Sequence, residues 1–217
     1  MTTAVAFDLW RTLVPLSTER KTSATLRIAE ALGESGNEGF FRAWRETRRE
    51  RETSELSDYL HWLRSLRAAR WSEDMLDAAI AARREVHFEA FSHLRTGTVE
   101  TLQHLRRLRV RLGLISNCSS DVRDMLRDAG LEQHFDVVLL SAEVRLMKPD
   151  PAIFSIAKKA LGAHATYYVG DGDDGELIGA SRAGLVDVLL DLGEGRSASK
   201  VVTRLDEIPA LVREETL

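Results

Sequence analysis

The segment Ala4-Val5-Ala6-Phe7-Asp8-Leu9-Trp10-Arg11-Thr12-Leu13 constrains this chain more than any other. Apolar residues run unbroken from Ala4 to Phe7 and stop at a carboxylate. Such a run reads as a strand buried on both faces, and strands of that kind belong to parallel sheets covered by helices. In open sheets of this type ligands bind beyond the carboxyl ends of the strands. Asp8 therefore stands where a ligand would be met. A turn would use it equally well, because an Asp side chain satisfies nearby backbone groups.

The rest of the chain falls into two regimes. Residues 18–91 are rich in Ala, Leu, Arg, Glu and Trp, with few strand signals. Leu26, Ala29 and Leu32 repeat at helical spacing before Gly33. Phe40, Phe41 and Trp44 open a second helix that runs on through the charged segment. Leu56, Tyr59, Leu60 and Leu63 make a third stripe, and Ser72 starts a fourth helix. This spacing predicts a bundle of about four helices. From residue 97 strands and helices alternate. Strands are expected at 111–115, 135–140, 166–169 and 186–190, with helices at 99–108, 121–129, 151–161 and 176–183. That rhythm is the signature of a parallel α/β sheet with right-handed crossovers, and the strand at residues 4–8 belongs to it.

Composition excludes several partners. The 217 residues are 44% hydrophobic and 29% charged, with a net charge of -4, which is ordinary for a folded chain with a sizeable core. No strong basic field draws nucleic acid or an anionic membrane. The arginines between Arg42 and Arg51 are interleaved with Glu46 and Glu50, as on a solvated helix face. Cys118 is the single cysteine, so no internal disulfide forms. With no secretory leader and no apolar stretch long enough to span a bilayer, a cytoplasmic location is expected.

Polar residues gather where each strand ends. Ser116-Asn117-Cys118-Ser119-Ser120 precedes a helix and offers hydroxyls and backbone N–H groups to an anion; Ser119 or Ser120 would equally serve as a helix cap. Lys148 lies in Met147-Lys148-Pro149-Asp150-Pro151, ahead of another helix. Gly170-Asp171-Gly172-Asp173-Asp174-Gly175-Glu176 formally matches a dinucleotide fingerprint. Its three aspartates would repel a pyrophosphate, and clustered carboxylates suit a hard cation with oxygen ligands instead.

Taken in order, these loops resemble the motifs of the haloacid dehalogenase-like (HAD) superfamily. Asp8 and Thr12 match a nucleophilic Asp with Thr four residues on. Ser116 matches the strand-ending hydroxyl, Lys148 the lysine before a helix, and Asp171 and Glu176 the acidic last motif. The resemblance implies an α/β fold. A Rossmann-like parallel sheet core, residues 1–14 and 92–217, would carry an all-helical cap, residues 15–91, inserted after the first strand. It implies a hydrolase in which Asp8 attacks the substrate and water then hydrolyses the aspartyl intermediate. For a phosphorylated, anionic small molecule, Mg²⁺ would be held by Asp8, Asp171 and the main-chain carbonyl of Trp10, with Glu176 directly or through water. Ser116, the Asn117 N–H and Lys148 would neutralise the phosphoryl oxygens, and Arg11 and Arg45 are further substrate-binding candidates.

The departures are at Trp10 and Arg11. Phosphatases of the family carry a second Asp at the position of Trp10, which protonates the leaving group, and a glycine at the position of Arg11. Trp10 implies substrates whose leaving group needs no proton, such as acyl phosphates. The rival is the metal-free dehalogenase branch, in which Arg45 of the Trp44-Arg45 pair would bind carboxylate and halide. A binding protein without efficient turnover is a third reading. Cleavage of a carbon–phosphorus bond through a cap lysine is disfavoured, because Lys21 is the only lysine there and lies near its start.

Overall fold

The computed structural model describes residues 2–214. The expected ends of the core, residue 1 and residues 215–217, lie outside the described residues. Six parallel strands form one sheet: β1 (Thr3–Phe7), β2 (Arg111–Ser116), β3 (Val137–Leu140), β4 (Ala165–Gly170), β5 (Val186–Leu190) and β6 (Lys200–Val202), in the order β3-β2-β1-β4-β5-β6. The chain winds outward one way from β1 to β3, then returns to the other side of β1 and winds outward through β4 to β6. The order reverses between β1 and β4, and a crevice opens there at the carboxyl ends of the strands.

The helices are α1 (Thr18–Ala31), α2 (Glu38–Glu46), α3 (Arg48–Glu52), α4 (Leu56–Leu66), α5 (Glu73–Phe91), α6 (Thr98–Arg107), α7 (Val122–Asp128), α8 (Ser141–Val144), α9 (Pro151–Leu161), α10 (Glu176–Arg182) and α11 (Ile208–Glu214). Side chains alternate across the sheet. On one face Val5, Phe7, Leu112, Leu114 and Val169 meet α6, α7 and α11. On the other, Ala4, Ala6, Ile115 and Tyr168 meet Ile153, Phe154, Ala157 and Leu161 of α9 and Leu177 and Ala180 of α10. Helices α1, α2, α4 and α5 bury a separate cluster that includes Ile28, Phe40, Trp44, Tyr59, Leu63 and the nearby Trp71. No helix among the described residues is long and apolar enough to cross a membrane.

Five helices stand where about four were expected. The charged segment is not continuous with the helix opened by Phe40. Thr47 breaks it, at φ -100° and ψ 28°. Its hydroxyl donates to the Ala43 carbonyl at 2.6 Å and meets the Tyr59 hydroxyl at 2.8 Å. A hydroxyl that bonds back into the previous turn competes with the helix ladder. Ser72 caps α5 as expected, accepting from the Met75 N–H at 3.3 Å. The short β6, α8 and α11 had no expected counterpart.

Gly179 ties α10 to the loop after Lys148. A Cβ built there would lie 2.3 Å from the Pro149 carbonyl oxygen and 2.8 Å from the Phe154 ring. In an open helix, Gly→Ala stabilises by ~1 kcal/mol, whereas overpacking against a fixed backbone costs ~1–3 kcal/mol. Gly179→Ala is therefore expected to destabilise the protein by ~1–2 kcal/mol in urea denaturation. A variant as stable as the parent would show that this loop yields freely.

Candidate active site

The carboxyl edge of the sheet brings four loops together. Asp8 follows β1 directly, and its N–H still donates to the Val169 carbonyl of β4 at 2.8 Å. Asp171 follows β4 across the switch point. Asp8 and Asp171 are both buried, at 5% and 3% exposure, although they carry carboxylates. Thr12 donates to Asp8 Oδ2 at 3.0 Å. Arg95 fixes the turn that joins them: its Nε donates to the Thr12 carbonyl at 2.8 Å, and its backbone N–H to the Leu13 carbonyl at 2.9 Å.

Lys148 is the centre of the buried charge. Its Nζ pairs with Asp8 Oδ1, donates to Glu176 Oε2 at 2.5 Å and reaches the Tyr168 hydroxyl at 2.8 Å. Tyr168 in turn donates to Glu176 Oε2 at 2.6 Å. Burial alone would depress the lysine, but Asp8 and Glu176 outweigh it and raise its pKa above the ordinary value. The Asn117 amide positions the lysine from behind, accepting from the Lys148 N–H at 2.8 Å and donating to its carbonyl at 2.9 Å. The Asn117 side chain is thus used on the loop itself, leaving only its backbone for an anion.

Glu176 completes this arrangement and explains Gly170. A Cβ on Gly170 would lie 2.0 Å from Glu176 Oε1, so the carboxylate occupies the space of the absent side chain. That oxygen also accepts from the Gly172 N–H at 3.2 Å. Glu176, expected as a metal ligand, therefore has both oxygens engaged, with Lys148 as its charged partner. Burial and Asp8 raise the pKa of Asp171, against the pull of Arg11.

Ligand oxygens of Asp8, Asp171 and Glu176 lie within 4.8 Å of one another. Asp171 Oδ2 is buried and has no hydrogen-bond partner among the described residues. Hard oxygen donors at this spacing, one of them without a hydrogen bond, fit a divalent cation such as Mg²⁺. Arg11 bears on the same oxygen. It was expected at the substrate, yet its Nε stands 2.9 Å from Asp171 Oδ2, with Asp173 and Glu194 on its other nitrogens. The reason is local charge: the nearest unneutralised groups are these acids.

Above the acids lies a cavity of about 310 Å³. Asp8, Trp10, Asn117, Ser119, Lys148 and Asp171 form its floor. Its roof includes Lys21, Ile28, Trp44, Arg48, Arg51 and His87. Ser116 is fully buried behind the floor, and its hydroxyl has no hydrogen-bond partner among the described residues; the same is true of Ser119 Oγ, which does line the cavity. Arg45 is not brought to the site. It is exposed on α2, turned about 100° from the buried Trp44. Beyond the break at Thr47, Arg48 and Arg51 face the cavity instead. Arg48 donates to Asp174 Oδ2 at 2.5 Å, and the Arg51 guanidinium lies 4.4 Å from the Trp44 ring centre.

Tyr168, Arg48, Arg51 and His87 escaped the sequence reading. Tyr168 had one available signal, its place two residues before Gly170 on a strand whose end carries acids. Trp10 is displayed as a packing residue. Its ring meets His87 at 5.6 Å and Phe91 at 5.5 Å, both edge-on, on the last turns of α5.

A family model described as haloacid dehalogenase-like hydrolase matches residues 2–184. The chain is similar to haloacid dehalogenase-like hydrolase domain-containing protein 3 of Danio rerio, 31% identical over 54% of this chain, and spans about half (51%) of that protein. It is 30% identical to glyceraldehyde 3-phosphate phosphatase of Methanopyrus kandleri, over 89% of this chain and 86% of that one. Its fold is similar to the crystal structure of 2-haloacid dehalogenase from Pseudomonas syringae pv. tomato, with a TM-score of 0.75, 22% identity and coverage of 99% and 100%.

His87 gives the site a measurable acid limit. Burial first, then Arg83, lower its pKa to about 3, and its Nδ1 lies 3.0 Å from the Arg83 carbonyl. Between pH 6.5 and 3 the unfolded chain binds a proton at His87 that the folded chain does not. Stability is therefore present above pH 6.5 and is lost on acidification by up to ~1.4 kcal/mol per pH unit. His87→Gln is expected to flatten the slope of unfolding free energy against pH between 6.5 and 4.5 by about one proton, read from urea titrations. An unchanged slope would show that His87 is protonated in the fold.

Proposed function

Because the chain belongs to the haloacid dehalogenase-like hydrolase family, we propose that it hydrolyses a small phosphorylated metabolite through an aspartyl intermediate on Asp8. The observation that carries this reading is the pairing of Asp8 with a buried Lys148 at the switch point, facing the cavity. Lys148 pairs with Asp8 and supplies positive charge where the phosphoryl oxygens arrive. Thr12 fixes one carboxylate oxygen. Asp8 attacks phosphorus, the bond to the leaving group breaks, and the leaving group departs with the electron pair. Water then attacks the aspartyl phosphate, releasing inorganic phosphate and regenerating Asp8. The backbone of the Asn117–Ser119 loop and the free Ser119 hydroxyl are the remaining donors toward the anion.

Asp8, Asp171 and the Trp10 carbonyl are the groups that would hold Mg²⁺, which when bound supplies charge neutralisation of the phosphoryl group. Helices α1, α2, α3 and α5, within the expected cap, line the roof over Asp8. Trp10 carries no proton to give. The substrate class this favours is one whose leaving group is already stable as an anion, an acyl phosphate above an alkyl phosphate. The similarity to a glyceraldehyde 3-phosphate phosphatase supports phosphoryl chemistry. Halide displacement from a haloacid is the second reading, favoured by the aromatic residue at position 10 and by the Arg11 contact with Asp171.

The test pairs substrates with and without Mg²⁺. Phosphate release from acetyl phosphate is expected to exceed that from a simple alkyl phosphate by at least about a hundredfold, the share a general acid would otherwise contribute. It should require Mg²⁺ and vanish in Asp8→Asn. Chloride release from 2-chloropropionate without metal would replace this reading with the second.

A further inference from the structure

Arg11 is held in an unusual place. Its φ is +66°, in the left-handed region that disfavours a branched or bulky side chain. Two bonds fix it there: its N–H donates to the Val14 carbonyl at 2.7 Å, and its carbonyl accepts from Arg95 Nη2. The side chain therefore starts from a fixed point and extends over the acids. Nε lies 2.9 Å from Asp171 Oδ2, Nη1 3.9 Å from Asp173 Oδ2, and Nη2 pairs with Glu194 Oε1. Arg196 stands on the other side. Its Nη1 donates to the Asp171 carbonyl at 2.7 Å and lies 3.5 Å from Oδ2, and its Nη2 lies 2.9 Å from Glu194 Oε2.

Asp171 Oδ2 is the atom in dispute. It is a buried oxygen without a hydrogen bond among the described residues, and it belongs to the three-carboxylate set suited to a divalent cation. A guanidinium at 2.9 Å and a divalent ion on the same oxygen repel each other strongly in so buried a setting. The exposures show where the guanidinium can go. The Asp171 side chain is 2% exposed, whereas Asp173 and Glu194 are 44% and 41% exposed. Its other two partners thus lie toward solvent and can retain it.

We propose that Arg11 is a tethered cation that competes with a divalent metal for Asp171. Metal entry requires its guanidinium to leave Asp171 and remain on Glu194 and Asp173. This rests on reading Asp8 and Asp171 as the metal site. Arg11 is then a positioning residue: it sets the metal affinity of the site and keeps the buried Asp171 neutralised between binding events. It also makes metal affinity sensitive to the acids of the outer loop, which hold the displaced side chain.

Isothermal titration of the full chain with MgCl₂ at constant ionic strength, without substrate, tests this. Arg11→Gly and Arg11→Asn both tolerate the positive φ and remove the charge; Arg11→Lys keeps a charge. Mg²⁺ is expected to bind Arg11→Gly and Arg11→Asn at least about tenfold more tightly than the parent, and Arg11→Lys about as the parent does. Tightening in Arg11→Gly alone would assign the effect to backbone relief and overturn the proposal. Equal affinity in all four proteins would overturn it, as would the absence of Mg²⁺ binding in all of them. The readout needs no turnover, so it is separate from the phosphatase test. Metal-free chloride release alongside tightened Mg²⁺ binding would sink the reaction and leave the competition standing.

Discussion

The buried contact among Lys148, Asp8 and Glu176 is the constraint on which the site depends. Lys148 is 4% exposed, and an unpaired ammonium at that depth would give up its proton. With two carboxylates and the Tyr168 hydroxyl around it, the charge is favoured. Breaking such a set by removing one member leaves an uncompensated charge and costs on the order of 3–5 kcal/mol. Other features follow from holding the lysine there. Asn117 clamps its backbone from both sides. Gly170 leaves room for the Glu176 carboxylate, and Gly179 lets α10 close on the loop that carries Lys148. None of these three residues needs to touch a substrate to be required.

Topology then places the second acid. Neighbouring strands lie about 4.8 Å apart, so residues ending β1 and β4 cannot avoid each other. Asp8 and Asp171 are brought close by the sheet itself. Their joint burial is tolerable only because cations come with them, Lys148 for Asp8 and Arg11 with Arg196 for Asp171. Each aspartate is neutralised by a different part of the chain. That division separates a pair whose cation is buried, Lys148, from one whose cations, Arg11 and Arg196, reach toward solvent.

Much of this was legible in the residues because the signals were local. The run Ala4–Phe7 marks a strand buried on both faces, and Pro151 and Gly162 bracket α9. The acids after Gly170 follow β4 as expected. What escaped depends on phase and distance. Thr47 reset the helical phase, so the arginines facing the cavity are Arg48 and Arg51 and not Arg45. A three-residue strand such as β6 carries too little pattern to stand out. Ser119 read equally as an anion donor or a helix cap; Asp121 is the residue that precedes α7, and Ser119 Oγ has no hydrogen-bond partner among the described residues. Arg11 read as a departure at a turn; its contact with Glu194 spans 183 residues of sequence, and no spacing rule reaches that far.

Trp10 links the site to the helices above it. Its backbone belongs to the turn that fixes Asp8, while its ring packs against His87 and Phe91 of α5. The same helix is pinned to the core by the buried Arg83–Asp121 pair. Farther along, α3 is joined to the core by Arg48 on Asp174 and by the Ser141 hydroxyl donating to the Glu52 carbonyl at 2.5 Å. An acid at position 10 would have to leave the ring stack and face the cavity. The aromatic residue there gives a contact between the turn holding Asp8 and the roof.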